Sequence, residues 1–364
     1  MSDSTSQFLS SPSQFVKDQE DSDFWATIFG TRNFFVTSRA LAIEVLQTRD
    51  DNFSGRLGNR EVSEELFGKS VLYADGKEHS DLRKAMSSLF RPKSIEINEL
   101  VSRILEVTLS NECNLKNINV HNFFQRLSLQ ITSAYFFNES IDYEYAGSLI
   151  PLIDGLAVGL YSPANERESN TDFLHALDCR KKLDRTIQVQ PKSPLTLALR
   201  SHSYPDEVIL DQIITFLFAG VDTMSVTLSW ALEILLSEKT DTLKPREAIN
   251  RALLERPPVY FIPRGSYEDT YLGSEKINQG DVVNVMVCSL HEQAIEGSGG
   301  LNMPFGIGNK KCPGQSFSLM VMDNTLSFLM RNFKVLLEGG DLSLASYIPG
   351  QRPLSPPAIV LSKL

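Results

Sequence analysis

The ten residues Phe305-Gly306-Ile307-Gly308-Asn309-Lys310-Lys311-Cys312-Pro313-Gly314 constrain this chain more than any other stretch. Two glycines let the backbone turn tightly and lie close to a flat ligand. An apolar helix is expected directly after the loop, over 315–333, with Pro313 suited to its first position. The start of a helix presents unpaired N–H groups and the positive end of the helix dipole, so Cys312 sits where a thiolate is favoured over a thiol. Lys310 and Lys311 add positive charge beside it. A thiolate in such a loop, with the aromatic ring of Phe305 seven residues upstream, suits axial ligation of haem iron. The ordinary alternative is a buried cysteine near a helix cap in a glycine-rich turn.

The rest of the pattern predicts a mainly α protein with a small β part contributed by both ends of the chain. The Ser-rich, acidic residues 1–20 are expected to be a frayed, disordered tail, and 21–364 a single folded domain. Apolar runs at 24–29 and 33–37 around Gly30-Thr31-Arg32 read as a hairpin, with Ser38 as a cap for a helix over 39–47. Helical periodicity dominates 77–193, broken at Ser162-Pro163-Ala164-Asn165, and Pro205-Asp206 open a long helix over 206–237. Pro257-Pro258 end a helix, 259–263 is extended, and 271–277, 281–287 and 358–361 read as strands.

Composition excludes several classes. With 45 acidic and 35 basic side chains the formal charge is −10. That disfavours nucleic-acid partners, which need basic patches, and leaves no polybasic membrane anchor. Cys113, Cys179, Cys288 and Cys312 stand apart, with no C-x-x-C pair for a structural zinc and no disulfide framework. The N-terminus lacks a secretory pattern, and the apolar stretch 213–221 is short of the ~20 residues of a membrane span. The expectation is a soluble, cytoplasmic protein with reduced thiols.

At F-G-x-G-x-x-x-C-x-G the loop 305–314 resembles the haem-binding loop of the cytochrome P450 family. Three further segments resemble that family. Ala219-Gly220-Val221-Asp222-Thr223 is similar to its A-G-x-[D/E]-T segment, which implies a local opening of the helix for O2, a Thr223 hydroxyl on the bound oxygen and Asp222 feeding protons. His79 and Arg83, four apart on one helix face, are similar to its H-x-x-x-R element, which implies that they hold haem propionates. Pro257-Pro258-Val259 followed by Pro263-Arg264 is similar to its P-P-V…P-R stretch, which places Arg264 on a propionate, and Lys310 takes a position that often does the same. Alone, these segments also read as a back-bonded helix threonine, a surface helix pair and a helix stop before an edge strand.

The resemblance implies the cytochrome P450 fold, haem b on Cys312 cradled by Phe305, Gly306, Gly308 and Gly314, and insertion of one oxygen atom of O2 into a small apolar organic substrate. It also implies a separate electron source, a ferredoxin-type donor with its reductase, docking near Lys310 and Lys311. Stretches 55–75, 150–180, 216–227, 259–263 and 347–355 would line the pocket, with Glu61, Glu64 and Glu65 among them. The chain departs from the family on the cysteine side. The E-x-x-R positions hold Arg251 and Leu254, and the stretches between His291 and Phe305 and between Trp230 and Pro257 are short. Two other readings fit the same residues: a non-catalytic relative with weak or no haem binding, and a haem-thiolate enzyme using peroxide or catalysing isomerisation or dehydration.

Overall fold

A computed structural model describes residues 3–19, 23–59, 62–110, 118–162, 167–237, 243–347 and 350–364; Cys113, Glu61 and most of the polar break at 162–165 lie outside them. In chain order the described elements are α1 (Thr5–Ser10), α2 (Pro12–Lys17), β1 (Phe24–Ile28), β2 (Thr31–Val36), α3 (Arg39–Ile43), β3 (Phe53–Ser54), α4 (Gly55–Gly58), α5 (Val62–Phe67) and α6 (Gly76–Met86). There follow α7 (Ser94–Ser110), α8 (Val120–Phe137), α9 (Tyr143–Gly159), α10 (Thr171–Thr186), α11 (Pro194–Arg200), α12 (Asp206–Ser237) and α13 (Pro245–Glu255). The chain continues with β4 (Ile262–Ser266), β5 (Thr270–Leu272), β6 (Glu275–Ile277), β7 (Val282–Val285), α14 (Val287–Glu296), α15 (Gln315–Asn332), β8 (Phe333–Glu338), β9 (Asp341–Ser346), β10 (Arg352–Ser355) and β11 (Ala358–Lys363).

The spine is α12, about 48 Å long at 1.5 Å per residue. Asp206 and Glu207 in its first turn oppose the helix dipole. Ile209, Ile213, Leu217, Val221, Met224, Leu228 and Trp230 are all buried, so its apolar surface is covered by protein, chiefly α8 and α13. By length and composition α12 is apolar enough to cross a membrane, with mean hydropathy 1.4, a match the short stretch 213–221 did not suggest. Yet 72% of that window is buried in the protein, as in a core helix. Side chains of Asn119, Asp142, Asn170 and Ser193 accept the backbone N–H three residues on and fix the starts of α8 to α11.

The main sheet has the order β1-β2-β7-β4-β3, with β2 and β7 parallel and the other pairs antiparallel. The hairpin at 24–36 forms as expected. The strand expected over 271–277 is a two-stranded hairpin instead, turned at Gly273, whose φ is +60°. Strands β8, β9 and β10 were not expected; β8 pairs with β11 and β9 with β10.

The frayed tail is corrected. Residues 3–19 carry α1 and α2, and Phe8 and Phe15 are buried against Phe24, Phe35, Tyr260 and Phe261. Phe24 and Phe35 stack at 4.9 Å, and Phe8 meets Phe35 edge-on at 5.5 Å. Polar composition hides two large apolar anchors, and those anchors decide.

Candidate functional site

The Cys loop is built by its glycines and its own backbone bonds. The N–H of Gly306 donates to Met303 O at 2.9 Å, that of Lys311 to Gly308 O at 3.2 Å and that of Cys312 to Phe305 O at 2.9 Å. Gly306 and Gly308 have φ of +69° and +70°, and a Cβ on Gly308 would lie 2.0 Å from Leu46 O. No other residue fits there. The helix begins at Gln315 as expected, but with Gly314 as its N-cap, so Cys312 and Pro313 precede it and Pro313 does not take its first position.

The backbone N–H groups of Gly314 and Gln315 still reach the Cys312 sulfur. Burial nevertheless pushes the thiol above its ordinary value, against the pull of Gly314, Arg83, Gln315 and Lys311. Cys312 is also solvent-accessible. Protein atoms crowd around Cys312 yet leave it open to a ligand. On α12 a matching set, Phe218, Ala219, Gly220, Asp222 and Thr223, is only partly covered, within a helix otherwise buried on either side.

His79, Arg83, Arg264 and Lys310 converge as the sequence predicted. His79 is buried at 7% exposure; burial, with Lys310, Arg83 and Arg264 nearby, drives its pKa down to about 4. Lys310 is committed: it donates to Ala74 O at 2.6 Å and pairs with Asp75. Burial raises the Asp75 carboxyl, but bonds from Lys310 and Ser54 outweigh it and hold it at about 2. Arg83 donates to Lys311 O at 2.9 Å and so clasps the Cys loop backbone.

Arg264 differs. Burial lowers its pKa to about 10, with Asp75 and Asp50 pulling it back up; it donates to its neighbour's carbonyl, Pro263 O, at 2.9 Å, and makes no ion pair within 4.0 Å among the described residues. A half-buried guanidinium whose carboxylates stand off leaves room for a closer anion. One sulfur, one half-buried cation without a close ion pair and two further donors fit a flat dianion with a thiolate-binding metal at its centre.

On α12 the helix is unbroken through Gly220, where a Cβ would meet the Thr132 side chain, Oγ1 at 3.5 Å and Cγ2 at 3.8 Å. The implied local opening is absent from the backbone. The Thr223 hydroxyl donates to Ala219 O at 2.7 Å, the ordinary back-bond of a helix threonine. Asp222 is paired: Arg352 Nη2 stands 2.8 Å from its Oδ1 and 2.7 Å from Asp154 Oδ1, and His121 Nε2 is 3.7 Å from Asp222. Burial pushes the Asp222 carboxyl up, and Arg352 offsets this only in part. His121, driven down to about 3 by burial and then Arg352, has no hydrogen-bond partner on either ring nitrogen among the described residues. Sequence reasoning passed over Arg352, Asp154 and His121. The available signal was a charged residue inside two stretches, 150–180 and 347–355, expected to line an apolar pocket.

In place of E-x-x-R, Arg251 and Glu255 pair at 2.6 Å on the exposed face of α13. Arg246 donates to Leu319 O at 2.8 Å and ties α13 to α15.

The sequence model of the family Cytochrome P450 matches residues 11–156, 175–258 and 290–346, well over half of the chain, and the chain belongs to that family. The chain is 23% identical over 269 residues to the cytochrome P450 monooxygenase sphH of Aspergillus fumigatus, covering 62% of this chain and 49% of that protein. It is 24% identical over 386 residues to a bifunctional cytochrome P450/NADPH–P450 reductase of Bacillus subtilis, covering 85% of this chain and 36% of that protein. The chain thus spans half or less of the length of these curated relatives. The fold matches a retinoic acid-bound cyanobacterial CYP120A1 at TM-score 0.76 and 19% identity, covering 99% of this chain and 96% of that one. It also matches a zebra fish cytochrome P450 with progesterone at TM-score 0.75 and 17% identity, covering 96% and 98%. The cytochrome P450 fold predicted from the sequence is the fold observed.

Proposed function

We propose that the protein is a haem-thiolate monooxygenase acting on an apolar organic substrate. The observation that carries this reading is an accessible sulfur, Cys312, in a glycine-built loop with Arg83 beside it, and the gathering of Lys310, Arg83 and Arg264 around His79. Cys312 would ligate the iron of haem b, and Arg264, with His79, Arg83 and Lys310, would hold its propionates. Phe305, Gly306, Gly308 and Gly314 shape the loop against it. Haem so bound supplies O2 activation, with one oxygen atom entering the substrate and the other leaving as water.

The chain's own residues then manage protons and water. Arg352 keeps Asp154 as a counter-ion, so Asp222 is able to take up a proton without leaving the guanidinium uncompensated. Burial already raises the Asp222 carboxyl, which suits a group that holds and passes on a proton. Thr223 turns its hydroxyl away from Ala219 O to relay that proton. Phe218, partly covered on α12 and backed by the buried Phe67 at 4.7 Å between ring centres, would offer an apolar surface to the substrate. Retinoic acid and progesterone, bound in the two solved neighbours, are the first substrates to try. Electrons come from a ferredoxin-type donor and its reductase meeting the exposed Lys311, in a soluble, cytoplasmic setting.

The test loads the protein with haem, supplies a ferredoxin, its reductase and 18O2, and screens an apolar panel. One labelled oxygen in product, dependent on Cys312 and diminished relative to electron use in Thr223→Ala, is expected. Haem uptake without labelled product across the panel, or label retained in Cys312→Ala, contradicts the reading.

A further inference from the structure

The missing E-x-x-R pair leaves a physical question: what holds α13 to the segment that leads into the Cys loop? His291, on α14, is fully buried at 0% exposure. Its Nδ1 lies 3.1 Å from Leu254 O, at the end of α13, and its Nε2 lies 3.1 Å from Met303 N, just before the loop. A carbonyl only accepts and a backbone N–H only donates. The ring is therefore neutral with its proton on Nδ1, donating to Leu254 O and accepting from Met303 N–H. Burial lowers the His291 pKa and so favours this neutral form.

The short connection follows the same plan. Leu301 N donates to Leu290 O at 3.1 Å. Gly300 lies so close to α14 that a Cβ there would stand 2.1 Å from the same carbonyl. From Met303 the bonds continue: its carbonyl accepts from Gly306 N, and Phe305 O accepts from Cys312 N, both at 2.9 Å. An unbroken line of bonds and short covalent links joins the His291 ring to the residue that carries the sulfur.

We propose that His291 is a positioning residue that replaces the missing ion pair, clamping the end of α13 to Met303 and so setting the direction of the Cys312 sulfur. This rests on the reading of Cys312 as an iron ligand. Two substitutions separate the halves of the clamp. In His291→Asn the amide reaches Leu254 O but not Met303 N. In His291→Gln the longer side chain brings an acceptor to Met303 N and gives up Leu254 O.

Both variants are expected to lose similar thermal stability. Without haem, the Met303 amide should exchange with deuterium about tenfold faster in His291→Asn than in His291→Gln or wild type, the loss of one buried bond. With haem bound at equal occupancy, the reduced CO complex of His291→Gln should keep the long-wavelength Soret band of thiolate ligation, and His291→Asn should shift part of it to the shorter-wavelength band of a lost thiolate. Equal bands in the two variants, or unchanged Met303 exchange in His291→Asn, overturn the proposal. If wild type itself lacks the long-wavelength band, the haem-thiolate reading fails on its own, and the exchange measurement still decides whether His291 holds the loop.

Discussion

The cysteine side and the α12 side depart from the family pattern in opposite ways. On the cysteine side the sequence has lost its E-x-x-R pair and much of a connection, yet the structure ties the same elements together through Arg246 to Leu319 O and His291 to Leu254 O and Met303 N. On the α12 side the Asp222–Thr223 motif is intact, yet both side chains are engaged elsewhere, with Arg352 and with Ala219 O. A lost motif need not be a lost brace, because a neutral ring bonded to two backbone groups avoids the desolvation cost that a buried ion pair carries. A kept motif need not be a free proton donor, because buried carboxylates acquire partners.

The α12 side should be the more fragile. Arg352→Ala strands Asp222 and Asp154 without a cation and should cost ~3–5 kcal/mol in urea unfolding. Adding Asp222→Asn should recover part of the loss. A small loss in the single variant would break the contrast between the two sides.

Acid should act next. His79 and His121 have pKa values lowered from 6.5 to about 4 and about 3, and His291 is lowered too. The unfolded chain therefore takes up protons first as pH falls. The stability these groups contribute is complete above 6.5 and drains away as pH drops towards 4 and then 3. Denaturation at pH 7.5 and 5, compared between wild type and His121→Phe, checks this; the variant should show the shallower pH dependence. Propionates beside His79 would raise its pKa, so haem should blunt the acid sensitivity there.

Arg264→Met separates two states. The haem-free protein should change little, since Arg264 makes no close ion pair and feels Asp75 and Asp50 only at a distance, while haem retention on dilution falls. A clear loss of haem-free stability would mean that Arg264 has a protein partner role instead. The smallest effect belongs to Arg251→Ala. Its exposed pair with Glu255 should be worth less than ~0.5 kcal/mol, confirming that it does not stand in for the absent tie.

Local signals carried much of the fold. Glycine spacing located the Cys loop, the Pro205-Asp206 start and apolar run located α12, and the Gly30 turn located the first hairpin, because each is set by residues near in sequence. Three features were not legible. Phe8 and Phe15 order the N-terminus by packing on distant Phe35 and Tyr260, a contact that composition averages away. Strand β10, and with it Arg352, is four residues long and holds Pro353, so it carries no strand signal of its own and depends on pairing with β9, whose alternating Asp341-Leu342-Ser343-Leu344 pattern was overlooked. The Thr223 back-bond is a choice between acceptors that no motif encodes. In the site, the grouping of His79, Arg83, Arg264 and Lys310 was legible only through the resemblance to the family, since helix spacing and the Pro-Pro turn alone read as a surface pair and a helix stop. The prior commitments of these residues, such as Lys310 to Asp75, were not, because Asp75 reaches the loop only through the fold.

The central claim is that sulfur 312 binds the metal of a porphyrin in the space facing Thr223. The most direct measurement is the absorption spectrum of the haem-loaded, dithionite-reduced, CO-treated protein beside that of Cys312→Ala. The long-wavelength Soret band should be present in the first and absent in the second. The same band in both proteins, or in neither at full haem occupancy, would contradict the assignment.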